Sequence, residues 1–146
     1  AEALVEAGAL APLIAIAHCP RILIHPPDHL SVQRDGKSLY LHWQASRAIC
    51  ALTVSPAVHL RVVREGGIFA LIQLCESGQP QLCREGAASL AYLAEVRCET
   101  ECLLQMAEEG AIAALQALAE HPDDATGSEA VRALSSLLNF DSAWAD

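Results

Sequence analysis

The sequence predicts an all-α solenoid, and three observations carry that prediction. The first is recurrence: Val63-Arg64-Glu65-Gly66-Gly67-Ile68-Phe69-Ala70-Leu71-Ile72-Gln73-Leu74 returns in altered form as Met106 to Leu118 and as Leu4 to Ile16. Each copy sets leucine-like residues five and eight positions after a Gly turn: Gly8, Leu13, Ile16; Gly66, Leu71, Leu74; Gly110, Leu115, Leu118. The second is order. A small residue with apolar residues four and seven positions later follows each Gly signature: Ala45, Ile49, Leu52; Gly86, Leu90, Leu93; Ala130, Leu134, Leu137. These second signatures recur at intervals of 41 and 44 residues, within the range of about 40 to 47 typical of two- and three-helix repeats. The third is composition, 53% apolar but only 4% aromatic. A core of Leu, Ala, Ile and Val suits helices packed closely through small residues better than a β-sandwich.

The elements follow in order within each unit. Val58, Val62 and Val63 mark a short amphipathic helix between Pro56 and Glu65, with Pro at a favoured start and Gly66 at the stop. Gly accepts positive φ at low cost and closes the last carbonyls, and Gly8 and Gly110 are placed to do the same. A second helix is predicted over Ile68 to Cys75, broken by Ser77-Gly78-Gln79-Pro80, with His121-Pro122-Asp123-Asp124 serving the third copy. A longer third helix is predicted from about Leu82 to Ala94 and from about Ser128 to Asn139. In the first copy the gap between signatures is 32 residues instead of 15, so an insertion over residues 18–42 is expected there. No single unit covers its own apolar stripe, so each must bury it against the next.

Helix, Gly turn, helix, loop and small-residue helix, with these residues, resemble the armadillo family over nearly the whole chain. The resemblance implies a right-handed α-solenoid of about three armadillo repeats, three helices each. They lie at about 1–54 with the insertion, 55–97 and 98–140, in a single domain spanning 1–146. A HEAT array is the nearest structural rival, and the separate short helix before each Gly argues against it. Beginning at Ala1 inside a helical pattern, the sequence is expected to be a piece of a longer chain that supplies neighbouring repeats.

In armadillo proteins the third helices line a concave groove that holds extended peptides, and helical geometry picks out the positions concerned. Relative to the small core residue, positions −2, +2, +6 and +9 lie at roughly 180° around the helix, whereas +4 and +7 stay with the core. They are Trp43, Arg47, Ala51 and Val54; Arg84, Ala88, Tyr92 and Glu95; Ser128, Arg132, Ser136 and Asn139. The partner-binding residues expected are Trp43, Arg47, Arg84, Tyr92, Glu95, Arg132, Ser136 and Asn139. Nuclear-import adaptors of the family carry Trp at +2 and Asn at +6. Here +2 reads Arg47, Ala88, Arg132 and +6 reads Ala51, Tyr92, Ser136, so that ladder is absent. An acidic or mixed-charge segment held by guanidinium forks is the expected ligand. The alternative is that the arginines pair with neighbouring Glu such as Glu85 and Glu129.

Other classes of function find little support. Residues 1–94 hold seven acids and seven bases, whereas 95–146 hold eleven acids against Arg97 and Arg132, which disfavours binding to nucleic acid. No apolar run approaches the ~20 residues of a membrane span. The six cysteines, Cys19, Cys50, Cys75, Cys83, Cys98 and Cys102, show no CxxC and are expected as reduced thiols in a cytoplasmic setting. His18, Cys19, His25, His29 and His42 crowd the insertion, but only His25 and His29 have a ligand-like spacing, without a second pair for zinc. Ile22–Ile24 and Leu39–Leu41 are expected to pack on a neighbouring repeat or a partner. Phosphate-loop, dinucleotide, GxSxG and HExxH motifs are absent, and a Cys nucleophile with His59 or His121 as base is the one catalytic pairing that can be written. The function expected is a non-catalytic scaffold or adaptor that binds a protein or peptide and needs no metal or cofactor. The alternatives are an accessory or substrate-receptor subunit of an enzyme complex such as a ubiquitin ligase, or a structural subunit of a cytoskeletal or ciliary assembly.

Overall fold

The computed structural model describes the backbone of residues 1–17, 41–96 and 100–144, and the side chains of these residues except 41–43, 100 and 140–144. The described residues form helices and connecting turns, without a strand. Copy one contains α1 (Glu2–Glu6), α2 (Leu10–Ala17) and α3 (Leu41–Thr53); copy two contains α4 (Pro56–Arg64), α5 (Gly67–Cys75) and α6 (Pro80–Glu95); copy three contains α7 (Thr100–Glu108), α8 (Ala111–Ala119) and α9 (Asp124–Trp144). The chain is thus an all-α solenoid of three-helix units.

The Gly turns repeat bond for bond. Gly8, Gly66 and Gly110 have φ of 83°, 93° and 94°, a left-handed conformation that L side chains rarely adopt. Their N–H groups donate to the carbonyls of Val5, Val63 and Ala107 at 3.0, 3.1 and 3.2 Å. The preceding residues Ala7, Glu65 and Glu109 donate to Ala3, Arg61 and Gln105 at 3.0, 3.0 and 2.9 Å. Each first helix therefore ends with its last carbonyls hydrogen-bonded and the chain turning into its successor.

Third helices run longer than the sequence periodicity predicts. The expected break separates α5 from α6, and Pro80 itself opens α6 at its first turn, because a proline has no N–H to lose there and its φ is already helical. In copy three the helix starts at Asp124, not near Ser128, and reaches Trp144 instead of Asn139. The Thr126 N–H donates to Asp123 Oδ2 at 2.9 Å, so Asp123 of the expected break supplies the N-cap of α9. The Thr126 hydroxyl also donates to Asp123 Oδ2, and these two hydrogen bonds, the hydroxyl's foremost, with Arg84 nearby, hold the Asp123 carboxyl below the usual range. The end of the expected insertion is also revised: α3 takes in Leu41 and His42. The rest of the insertion, with Cys19, His25, His29 and Ile22–Ile24, lies outside the described residues, as do Cys98 and the tail beyond Trp144.

The apolar signature residues form one continuous core. Leu71, Leu74, Leu90, Leu93 and Leu115 are fully enclosed, each contributing about 1.5 to 3 kcal/mol by its removal from water. Leu13, Ile16 and Leu134 are only partly covered. The most extensive pairing is α6 against α9, followed by α5 on α6 and α8 on α9. At Gly86 the approach of α6 to α5 leaves no room: an added Cβ would stand 2.8 Å from the Leu71 carbonyl oxygen and 3.0 Å from the Cys75 nitrogen.

Backbone atoms of a packed helix cannot rotate aside, so overpacking at Gly86 outweighs the helix propensity that alanine adds. Gly86→Ala is expected to destabilise the chain by about 1 to 3 kcal/mol in urea unfolding; unchanged or increased stability would contradict this packing.

Candidate partner-binding groove

The three third helices each bring positions +2, +6 and +9 to accessible surface. Ala51, Val54, Arg84, Glu95, Ser128, Arg132 and Asn139 are exposed, and Arg47, Ala88, Tyr92 and Ser136 are half-buried. Between α3 and α6 the face hollows into an open depression of about 600 Å³, floored by Ala48, Ala51 and Ala88 and edged by Gln44, Arg47, Val54, Glu85 and Ser89. Val54 keeps 62% of its surface accessible there. Stripe positions from two different copies, Arg47, Ala51, Val54 and Ala88, thus share one hollow. Trp43 belongs to the backbone of α3, and its side chain lies outside the described residues.

The arginines are tied to carboxylates of the neighbouring helix. Arg47 of α3 grips Glu85 of α6 in a fork, Nε to Oε2 at 2.7 Å and Nη2 to Oε1 at 3.1 Å. Arg132 of α9 reaches Glu95 of α6 through Nε at 3.0 Å. Its Nη2 also stands 3.0 Å from Glu129 Oε2, an oxygen that accepts no aligned hydrogen bond, so that second contact is Coulombic. Arg84 lies in the field of Asp123. The Tyr92 hydroxyl donates to the Val54 carbonyl at 3.1 Å, and the Ser136 hydroxyl donates within its own helix to Arg132 O at 3.2 Å. The pairing alternative raised by the sequence is what the structure contains at Arg47 and Arg132, with Glu95 as a further partner. The charge of this face is consequently balanced.

Gln44, Ala48, Glu85 and Ser89 line the hollow but sit outside the predicted stripe. They occupy the −1 and +3 positions of α3 and α6, about 80° to 120° from its centre at 100° per residue. A stripe drawn on one helix omits the flanks that two helices expose when they splay, and only their relative placement reveals them.

Cys50, Cys75, Cys83 and Cys102 are free and buried. Burial, with a smaller contribution from the Glu85 carboxylate, pushes the Cys50 thiol up to about 12, and burial also raises Cys75; a thiol held protonated is a poor nucleophile. Cys83 Sγ donates to the Cys75 carbonyl at 3.1 Å. His121 Nδ1 accepts the Asp123 N–H at 3.1 Å, and His59 is buried. Among the described residues no three His, Cys, Asp or Glu side chains are grouped to hold a metal ion, and no helix is long and apolar enough to cross a membrane.

Comparison with solved structures agrees with this geometry. A designed armadillo repeat protein superposes with a TM-score of 0.68 at 23% identity, over 93% of this chain and 50% of its own. Another, described as computationally designed for modular peptide recognition, gives 0.68 at 22% identity, over 91% of this chain and 48% of its own. A third, in complex with the peptide (KR)4, gives 0.67 at 22% identity, over 92% and 48%. The chain spans about half the length of the solved structures it matches. No protein-family model and no curated protein sequence matches it. The likenesses establish the fold: this is an armadillo-type α-solenoid.

Two measurements check the groove's chemistry. A double-mutant cycle on Arg47→Ala and Glu85→Ala is expected to give a coupling of about 0.2 to 1 kcal/mol, since both groups are partly solvated; zero coupling would dissolve the fork. The Cys50 thiol keeps its proton in the folded state after the unfolded chain has lost it. Its contribution to stability is therefore complete below about pH 9 and declines between about 9 and 12, by about 1.4 kcal/mol per pH unit. Cys50→Ser is expected to flatten that alkaline slope; an identical slope in the variant would contradict the assignment.

Proposed function

We propose that the chain is a non-catalytic interaction module that holds an extended, mixed-charge partner segment along the face of α3, α6 and α9. The observation that carries this reading is the set of cross-helix ion pairs. Arg47–Glu85 and Arg132–Glu95 fix guanidinium and carboxylate side by side along the face, beside the alanine-floored hollow. A guanidinium already bound on one edge retains donors for a second carboxylate, and its paired carboxylate retains acceptors for an ammonium or guanidinium. A partner that alternates charge satisfies both; a uniformly charged one meets repulsion at every second group. An aliphatic side chain of the same segment fits over Ala48, Ala51 and Ala88.

One of the similar designed proteins is in complex with the peptide (KR)4. A wholly basic peptide would bring cations against Arg47, Arg84 and Arg132 here. The acidic surplus of residues 95–146 also argues for a protein partner over nucleic acid. The buried free thiols fit a reducing, cytoplasmic setting.

Fluorescence anisotropy with the labelled octapeptides (EK)4, (KR)4 and (DE)4 tests the reading. The expected order has (EK)4 tighter than either (KR)4 or (DE)4. The triple charge reversal Arg47→Glu, Arg84→Glu, Arg132→Glu is expected to lift (KR)4 above the others. Tightest binding of (KR)4 by the unaltered chain, or an order unmoved by the triple reversal, would refute the proposal.

A further inference from the structure

Each third helix has two flanks, and the positions one, five and eight residues after the small core residue cluster about 100° from it. In α3 they are Ser46, Cys50 and Thr53, all buried. This flank faces the next unit: Cys50 Sγ approaches the Glu85 carbonyl of α6 at 3.8 Å. In α6 they are Ala87, Ala91 and Ala94, again all buried, on the helix that packs most extensively against α9. In α9 the same positions are Val131, Ser135 and Leu138, and they are open: Val131 is 50% and Leu138 51% accessible. The first helices agree. Val63 of α4 is buried, while its counterpart Ala107 of α7 is exposed, and Leu104, in register with the partly buried Leu60, is 53% accessible. Copy three repeats the junction surface of copies one and two, with larger apolar side chains in the α9 positions and nothing described against it.

The first-helix junctions also carry a charge rule. Between α1 and α4, Glu2, Val5 and Glu6 meet Ala57, Val58 and Arg61. Between α4 and α7, the same register positions are Leu60, Val63 and Arg64 and meet Glu101, Cys102 and Gln105. Each crevice is lined by acid on one side and base on the other, with the signs exchanged in the second junction; Arg61 also holds Glu65 Oε1 of its own copy at 2.8 Å. On the open side of α7 those positions read Leu104, Ala107 and Glu108. The acid has returned, so the incoming helix must bring a base, as α4 does with Arg61.

We propose that this side of copy three is a docking surface for one further armadillo-type repeat, whose third helix lays small residues across Val131 and Leu138 and whose first helix sets a basic residue against Glu108. A second copy of the chain does not satisfy it. The register of Arg61 falls on Ala3 in α1, where Glu2 and Glu6 add acid to an acidic face.

The test supplies such a repeat from the chain itself. Residues 55–97, which carry Arg61 and Gly86, are joined after Asn139 in place of residues 140–146, Asn139 being in register with Val54. The extended chain is expected to melt in one cooperative transition, about 5 °C or more above the unextended chain. Val131→Glu with Leu138→Glu removes the gain. Arg61→Glu in the appended unit reduces it, and adding Glu108→Arg restores it. An unchanged melting temperature, a separate transition for the appended unit, or a gain that survives the Val131 and Leu138 substitutions would overturn the proposal. So would concentration-dependent self-association of the unextended chain in sedimentation that Leu138→Glu abolishes, since a second copy would then be the occupant. The peptide octamers address the groove alone, so the two readings fail separately.

Discussion

Every helix in this chain carries an apolar stripe that it cannot cover, and the close approach of small residues is what lets neighbours cover it. Gly86 is where the constraint is tightest, with backbone of α5 at contact distance from the place a Cβ would occupy. Ala45 and Ala130 do the same work in the other copies, both buried. Once the third helix lies this near the second, Leu90 and Leu93 are sealed from water and the outer stripe is turned to the surface. The groove is therefore a by-product of core packing: no residue of the stripe orients it.

Ion pairs act between copies as well as within them, where Arg61 holds Glu65 and Arg132 stands beside Glu129. Arg47–Glu85 and Arg132–Glu95 join α3 to α6 and α6 to α9, and the first-helix junctions set Glu2 and Glu6 near Arg61, and Arg64 near Glu101. Exposed pairs of this kind add little stability individually. Their effect is on register: a repeat that slid by one helical turn would lose the apolar fit and set Arg47 against Gln81 or Ser89 instead of Glu85. The same pairs decide what the groove offers a ligand, because a guanidinium already bridged is not the free cation that sequence counting suggests.

The thiols and imidazoles show how a repeat core removes reactivity. Cys50 and Cys75 occupy positions that the stack fills with small apolar groups, and the absence of water keeps them protonated. His121 shapes the turn before α9 by accepting a backbone N–H. Cys50, Cys75 and His121, groups that a sequence could assign to nucleophile and base, are here engaged in packing and in a turn.

Periodicity alone determined the helices, their order, the three Gly turns and the core. Glycine at positive φ and leucine at helical spacing are local requirements, and local requirements are written in consecutive residues. The stripe of Arg47, Tyr92, Arg132 and their neighbours was legible for the same reason, as one face of one helix. The breaks at Ser77–Pro80 and His121–Asp124 were legible, but α6 and α9 begin earlier than periodicity suggests, because Pro and Asp also open helices and the choice depends on which carbonyls and N–H groups lie within reach. Only the tertiary structure decided that Arg47 binds Glu85, that Ser89 and Gln44 border the hollow, and that Val131 and Leu138 stand open where Ala87 and Ala94 are covered. Those outcomes depend on distances between helices separated by some forty residues, which no pattern within one helix encodes.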